Sequence, residues 1–350
     1  MLEGALPRFD SQEVRELVGN IFESAGVDTE KAAVMAECLT EADMIGHFTH
    51  GLALVPGYVA ALADGVINGK GDVRIISDRG ACVAWDGNQL PGAWLTARAV
   101  DLAVERASQY GICSVAVGRS QHNGALAAYL RRATDKGFMV QICCSTASGA
   151  WVAPFGGTKR LFTPNPMAAG IPTEGDPILL DISASITTVT MVNGLAAEGK
   201  KFDHDWLLTA GGIATNDPVE VTQNGGSLMP LGGMEKGHKG YAMALLVEAL
   251  SHGLSGFGRM GEVEEGSLSV FVTVSDPDAF GGADSFRKQM SFLADACRDN
   301  PPRPGVEAVR VPGDAAMAKW RDAQINGVVL SAEIADGLEK SATQFGLAMV

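Results

Sequence analysis

Three short polar islands carry the side chains of this chain best suited to moving a proton: Gly46-His47-Phe48-Thr49-His50-Gly51, Ser120-Gln121-His122-Asn123-Gly124 and Leu180-Asp181-Ile182-Ser183-Ala184-Ser185. Three of the six histidines fall in the first two, wrapped in glycine and small hydroxyl or amide residues, whereas a core histidine would be surrounded by apolar bulk. An imidazole changes charge near neutrality, and a hydroxyl on one side with a carboxylate on the other can fix its tautomer and pass a proton. Thr49, His50 and Asp181 are therefore read as a relay and His122 as a second acid/base candidate. His47 and His50 also have a spacing that could bring two imidazoles to one metal, but zinc needs a third and usually a fourth ligand and no recognisable cluster supplies one. No metal site is expected.

The elements that must position these islands follow from the apolar pattern. Asp10 with Glu13 makes a capping box, after which Val14, Leu17, Val18, Ile21, Phe22 and Ala25 recur at helical spacing until Gly26. A second helix begins at Asp28 and runs through Ala32, Met35, Leu39 and Ala42, so the His47/His50 island sits just past its end, and helical character resumes over Leu52 to Leu62. From about Val73 the texture changes to β-rich runs at Cys82–Trp85, Ile112–Val117, Phe138–Cys144, Pro177–Ile182 and Ser267–Val274. Helical stretches at Ala93–Ser108, Ala125–Lys136, Thr187–Glu198 and Tyr241–Leu254 alternate with them, which predicts an α/β (α+β) unit round a sheet. Helix returns over Asp314–Asp322 and Ser331–Phe345. The reading is a helical domain of residues 1–72 with 311–350 and a sheet domain of residues 73–310 inserted between them.

With 350 residues and 46% hydrophobic content the chain has ample material for a core. A formal charge of −14 argues against nucleic acid or an anionic membrane as a partner, since both need a basic footprint. The stretch from Met1 to Arg8 has no basic segment followed by an apolar run, so a secretory signal is not expected and a cytoplasmic location is. The six cysteines show no framework spacing and lie mostly in apolar runs, where a thiol acts as a small hydrophobe. Two glycine-rich stretches miss the nucleotide-binding patterns. Gly253-Leu254-Ser255-Gly256-Phe257-Gly258 follows a helix where a dinucleotide fingerprint needs a strand, and Gly232 to Gly240 lacks Gly-Lys-Ser/Thr. The latter is read as a flexible loop with Lys236 and Lys239 that feeds a helix at Tyr241, a natural anion site.

Nearly end to end, the chain resembles the malate/L-lactate dehydrogenase family of the second type, which includes sulfolactate and ureidoglycolate dehydrogenases and piperideine-2-carboxylate/pyrroline-2-carboxylate reductases. The resemblance rests on Ala42-Asp43 through Gly51, Pro56-Gly57-Tyr58, Asp86-Gly87, Ser120 through Gly124, Val152-Ala153-Pro154, Asn165-Pro166, Leu180-Asp181 with Ser185, Thr215-Asn216-Asp217-Pro218, Leu231-Gly232-Gly233 and Lys239-Gly240-Tyr241. It implies a non-Rossmann, largely antiparallel cofactor sheet, a homodimer, and NAD(P)H as cofactor. By resemblance His50 with Thr49 and Asp181 form the proton relay of the imino-acid reductases, and His122 matches the acid/base or substrate-binding histidine of the hydroxy-acid dehydrogenases. Thr146, Ser148, Asp181, Ile182, Ser183 and Lys239 match cofactor contacts, with extra residues in this chain around the Thr146–Val152 stretch.

The chain departs from the family pattern where two arginines are usual, at Ile45 and Leu54. Together with His47 and Asn165 these are read as lining the substrate pocket, so that a substrate with one carboxylate and an apolar or ring-shaped remainder is favoured over malate. Arg119, Lys159 or Arg160 could hold that single carboxylate. The expected function is hydride transfer between NAD(P)H and a 2-oxo acid or cyclic 2-imino acid, a small-molecule carboxylate. The alternatives are a diverged binding protein with little turnover, or a metal-dependent hydrolase using His47, His50 and His122.

Overall fold

Asp10 accepts hydrogen bonds from the backbone N–H of Gln12 and Glu13 at 2.8 and 3.0 Å, and helix α1 (Ser11–Ser24) grows from that cap. Its Val14, Leu17, Val18, Ile21 and Phe22 are buried, and Gly26 turns the chain with φ of +98°. Helix α2 (Thr29–Met44) and helix α3 (Val55–Ala63) follow, joined by two 3-10 turns at Phe48–His50 and Leu52–Leu54. This computed structural model describes residues 7–349; the segment before residue 7, read above for a secretory signal, lies outside the described residues.

Seven strands form the central sheet: β1 (Arg74–Asp78), β2 (Cys82–Asp86), β3 (Ile112–Ser120), β4 (Met139–Thr146), β5 (Pro166–Ile171), β6 (Ile178–Ser183) and β7 (Leu268–Ser275), in the order β1-β2-β3-β7-β4-β5-β6. Only β2 and β3 run parallel, and a parallel pair needs a crossover, which helix α4 (Gly92–Tyr110) provides. Every other neighbour is antiparallel. The architecture is thus mixed α/β with a mostly antiparallel sheet. β7 returns from far along the chain to the middle of the sheet, where Val270, Val272 and Val274 are fully buried. Five strands stand where the apolar runs predict them; β1 and β5 do not follow from a run, since β1 is half-exposed and β5 opens on a proline.

Helix α5 (Val189–Ala197), helix α6 (His238–Glu248) and helix α7 (Ala283–Arg298) lie outside the sheet, and α7, unforeseen above, has a single fully buried residue, Ala294. The Gly232–Gly240 stretch, expected as a flexible loop, is a helical turn at Gly233–Lys236 that runs into α6 at His238. Ala125–Lys136, expected as one helix, breaks into a 3-10 turn (Leu126–Tyr129) and a short helix (Arg131–Thr134).

Helices α8 (Asp314–Asn326) and α9 (Ala332–Gln344) come back onto α2 and α3, and Arg8–Phe9 pairs antiparallel with Val328–Val329, so the two ends of the chain pack together. One apolar core runs from α1 and α2 through α4 to the sheet, while a smaller one gathers Val152, Phe162, Val192, Phe202 and Leu207 beside a three-stranded ribbon. Among the described residues no helix is long and apolar enough to cross a membrane.

Candidate active site

The three polar islands are pinned to one segment of backbone. Ala125 N–H donates to the carbonyl of His50 at 3.0 Å, and Ala127 N–H donates to Oδ2 of Asp181 at 2.9 Å. The turn after His122 therefore holds the histidine island by its backbone and the aspartate by its side chain. Two glycines make the approach possible. A Cβ on Gly51 would lie 1.9 Å from Oδ2 of Asp43, whose carboxylate accepts from Leu52 N–H at 2.6 Å and so fixes the turn that carries His50. A Cβ on Gly92, the first residue of α4, would lie 1.8 Å from the carbonyl oxygen of Gln121.

The result is a cavity of about 410 Å³ lined by His47, Thr49, His50, His122 and Asp181 on its polar side. The rings of His50 and His122 are 6.0 Å apart between centroids. Each has its Nδ1 engaged by protein: Thr49 Oγ1 lies 2.8 Å from Nδ1 of His50, and the Tyr58 hydroxyl lies 2.7 Å from Nδ1 of His122. Gly124 N–H also points at Nδ1 of His122, at 3.4 Å, and a backbone N–H can only donate. Nδ1 of His122 is then an acceptor and its proton sits on Nε2.

Electrostatics separates the two rings. Burial, with a smaller contribution from the neighbouring His50, pushes His122 down to about 4, so it is neutral at pH 7. His50 is also lowered by burial, but the Asp181 carboxylate opposes that and favours its charged form, while His47 adds a little to the lowering. Asp181 is itself raised by burial, against the pull of His47, the Ala127 amide and His50. One imidazole is thus a fixed neutral donor and the other is poised beside a carboxylate, an arrangement fit for polarising an oxygen and transferring a proton at the same centre.

Not every residue read from the sequence reaches this cavity. Thr146 and Ser183 line it, whereas Ile182, one step along β6, projects to the opposite face of the strand and is 43% exposed. Ser148 is exposed beyond the end of β4, and Lys239 is exposed in the first turn of α6; neither lines the cavity. Asp181 makes no hydrogen bond to His50, contrary to the relay geometry expected above; its Oδ2 accepts from Ala127 N–H, and its influence on the ring acts through space.

Ile45 and Leu54 are not pocket residues: Ile45 is buried in the main core at the end of α2, and Leu54 packs against the same core. Asn165 lies beneath the cavity, fully buried, accepting from the Thr163 hydroxyl and donating to Ala244 and Glu248. Of the three basic residues considered for a carboxylate, Arg119 is bound to Asp86 and Glu264, Arg160 donates to the carbonyls of Gly226 and Val221, and Lys159 is exposed. No arginine or lysine is among the described residues lining the cavity.

Sequence reasoning missed Tyr58, Trp151 and the Thr188–Thr190 entrance of α5, all of which belong to the site or touch its histidines. It also missed the polar cluster behind β4. Glu248 accepts from Ser145, Asn165, His252 and Arg259, while Arg259 also donates to the carbonyls of Ala147 and Gly149, so the strand end and the turn beside the cavity are tied down from behind. Burial would raise Glu248, but the hydrogen bonds from His252, Arg259 and Asn165 outweigh it and hold the carboxyl well below its ordinary range. The signal available was the run His252 to Arg259, whose histidine sits on a π-helical turn, a feature frequent at functional sites.

The fold is similar to that of delta1-piperideine-2-carboxylate reductase from Pseudomonas syringae pvar. tomato, which superposes with a TM-score of 0.84 at 27% identity, over 96% of this chain and 100% of that one. The family model described as malate/L-lactate dehydrogenase matches residues 9–339. L-lactate dehydrogenase of Cupriavidus necator is 31% identical over 87% of this chain and 88% of its own length, and malate dehydrogenase of Pyrococcus abyssi is 29% identical over 97% and 95%. The chain belongs to the malate/L-lactate dehydrogenase family, a family of oxidoreductases.

Proposed function

We propose that this protein transfers a hydride between a nicotinamide cofactor, NADH or NADPH, and a 2-oxo acid or cyclic 2-imino acid, giving a 2-hydroxy or 2-amino acid. The observation that carries the reading is the pair of imidazoles on one cavity, one neutral and locked, the other beside a carboxylate. The cavity's polar lining also includes the hydroxyls of Thr146, Ser183 and Thr188, which suit the carboxamide and ribose of a nicotinamide nucleoside. The diphosphate then belongs outside the cavity, where Ser148 and Lys239 are exposed. When bound, the cofactor supplies the hydride.

The protein's own part is binding and proton handling. His122 presents Nε2–H to the substrate oxygen or nitrogen and orients it. His50 holds the proton that the product acquires, with Asp181 favouring the protonated ring and Thr49 fixing its orientation through Nδ1. Without an arginine or lysine among the described lining residues, a substrate carboxylate is met by His47 and its neighbours, and a second carboxylate would enter without a cation of its own. That favours a monocarboxylate over oxaloacetate. The reductase neighbour, which by its name acts on a cyclic imino acid, supports the same choice.

The reading extends to a cytoplasmic homodimer in which residues 1–72 with 311–350 form a helical part and residues 73–310 carry the cofactor on a sheet unlike the Rossmann crevice. The test is turnover, followed at the nicotinamide absorbance with NADH and NADPH, on pyruvate, a larger apolar 2-oxo acid, a cyclic 2-imino acid and oxaloacetate. Faster turnover on oxaloacetate than on every monocarboxylate overturns the substrate class, and no binding of either cofactor at millimolar concentration overturns the enzyme.

A further inference from the structure

We propose that Trp151 is a rigid stacking wall of this cavity and selects a planar, conjugated ring. The inference rests on the function proposed above only for the place of the cavity; the stacking itself is read from the indole and its supports.

Trp151 lines the cavity together with Pro164, Pro166, Val189 and Leu268. Those four make part of the lining non-polar. Trp151 is anchored through its backbone and through one face of its ring. Its backbone N–H donates to Phe162 at 2.7 Å and its carbonyl accepts from Leu228 N–H at 2.9 Å. The Arg160 guanidinium lies 5.2 Å from the ring centroid, within cation–π range. Arg160 is in turn fixed by the carbonyls of Gly226 and Val221, so it is a brace and has little freedom to reach a substrate carboxylate. The backbone of Trp151 and one face of its ring are thus engaged by protein, and the residue borders the cavity. A preorganised aromatic surface rewards a flat π-system through offset stacking, at about 0.5–1.5 kcal/mol beyond simple burial, which is about 2- to 12-fold in affinity. A saturated, puckered ring of the same size gains only the burial.

Two ligands share that chemistry, the nicotinamide ring and a flat-ring substrate. Calorimetric affinities separate them through two matched pairs: NADH against ADP-ribose, which lacks the nicotinamide, and furan-2-carboxylate against tetrahydrofuran-2-carboxylate, which share the ring size and carboxylate but differ in ring unsaturation and therefore planarity. Trp151→Leu is expected to weaken the flat member of at least one pair by about 2- to 12-fold and to leave its mate unchanged, while Trp151→Phe keeps most of the affinity. A loss confined to NADH places the nicotinamide on the indole, and a loss confined to the furan acid places the substrate ring there. Equal losses within both pairs, or none, overturn the proposal.

If Trp151→Leu does not fold, the wild-type protein still decides: stacking shifts the bound furan or nicotinamide ring protons upfield with contacts to indole protons, and their absence for both ligands overturns the wall. Failure of the function reads differently. Furan discrimination without any cofactor binding leaves the wall and removes the enzyme, and turnover without ring discrimination does the reverse.

Discussion

Asp43 offers the sharpest test of how the His50 turn is held. Its carboxyl is 2% exposed, one oxygen accepts from Leu52 N–H at 2.6 Å, and the other is buried without a partner. Burial pushes its pKa from 3.8 up to about 7, with the Leu52 amide opposing. The folded state therefore binds a proton that the unfolded state has lost between these values. Stability from the neutral carboxyl is complete below pH 3.8 and is lost as the pH rises through about 7. At about 1.4 kcal/mol for each tenfold in proton affinity, the full excursion is about 4 kcal/mol, an upper bound because a chain can relax round a buried charge.

Asp43→Asn keeps the shape and the acceptor for Leu52 but cannot ionise. Its stability relative to the wild type is expected to rise by up to about 3 kcal/mol between pH 5 and pH 9, starting near or below parity because the new amide N–H lacks a partner. Urea unfolding of both proteins at pH 5, 7 and 9 measures this, and taking the difference cancels the other titrating groups. A stability difference that does not change with pH would show that Asp43 ionises freely and that the turn is fixed by something else.

Removing the Tyr58 hydroxyl with Tyr58→Phe frees Nδ1 of His122, and kcat/KM is expected to fall about 5- to 100-fold with little change in thermal stability; an unchanged kcat/KM refutes the assigned tautomer. In the reductive direction activity falls as His50 loses its proton, at a pH below the ordinary histidine value. Asp181→Asn withdraws the charge that favours the protonated ring and is expected to move that limb of the pH profile further toward acid, so a limb that stays in place argues against coupling. Gly92→Ala puts a methyl group against the Gln121 carbonyl and is expected to cost about 1–3 kcal/mol or more, whereas Gly57→Ala, with open space round its Cβ in α3, is expected to gain about 0.5–1 kcal/mol; chemical denaturation of the two variants compares them directly.

The local elements were legible because local rules decide them. Asp10 and Gly26 bracket α1, the alternating apolar runs at Ile112 and Ser267 announce central strands, and the polar islands stand out because histidines set among glycines and hydroxyls belong to no core. From the sequence alone it was also clear that His50, His122 and Asp181 belong together by kind. What only the tertiary structure decided is which atoms meet. β1 is too exposed to show an apolar run and β5 opens on a proline, whereas α7 carries Phe286, Met290 and Ala294 at helical spacing, a stripe that the sequence reading passed over. The central place of β7 depends on pairing with strands far away in the chain.

Ile45 reads as a missing arginine in a pocket, yet the end of α2 turns it into the core. Arg160 reads as a cation for substrate, yet two carbonyls and Trp151 occupy it. Tyr58 gains its role only because α3 lies against the turn after β3, bringing its hydroxyl to His122 across 64 positions of sequence. Propensity and periodicity report on neighbours within a few residues, whereas a cavity is made by side chains whose directions are set by packing. Composition can thus name the groups available for chemistry, and close packing chooses those that face the same space.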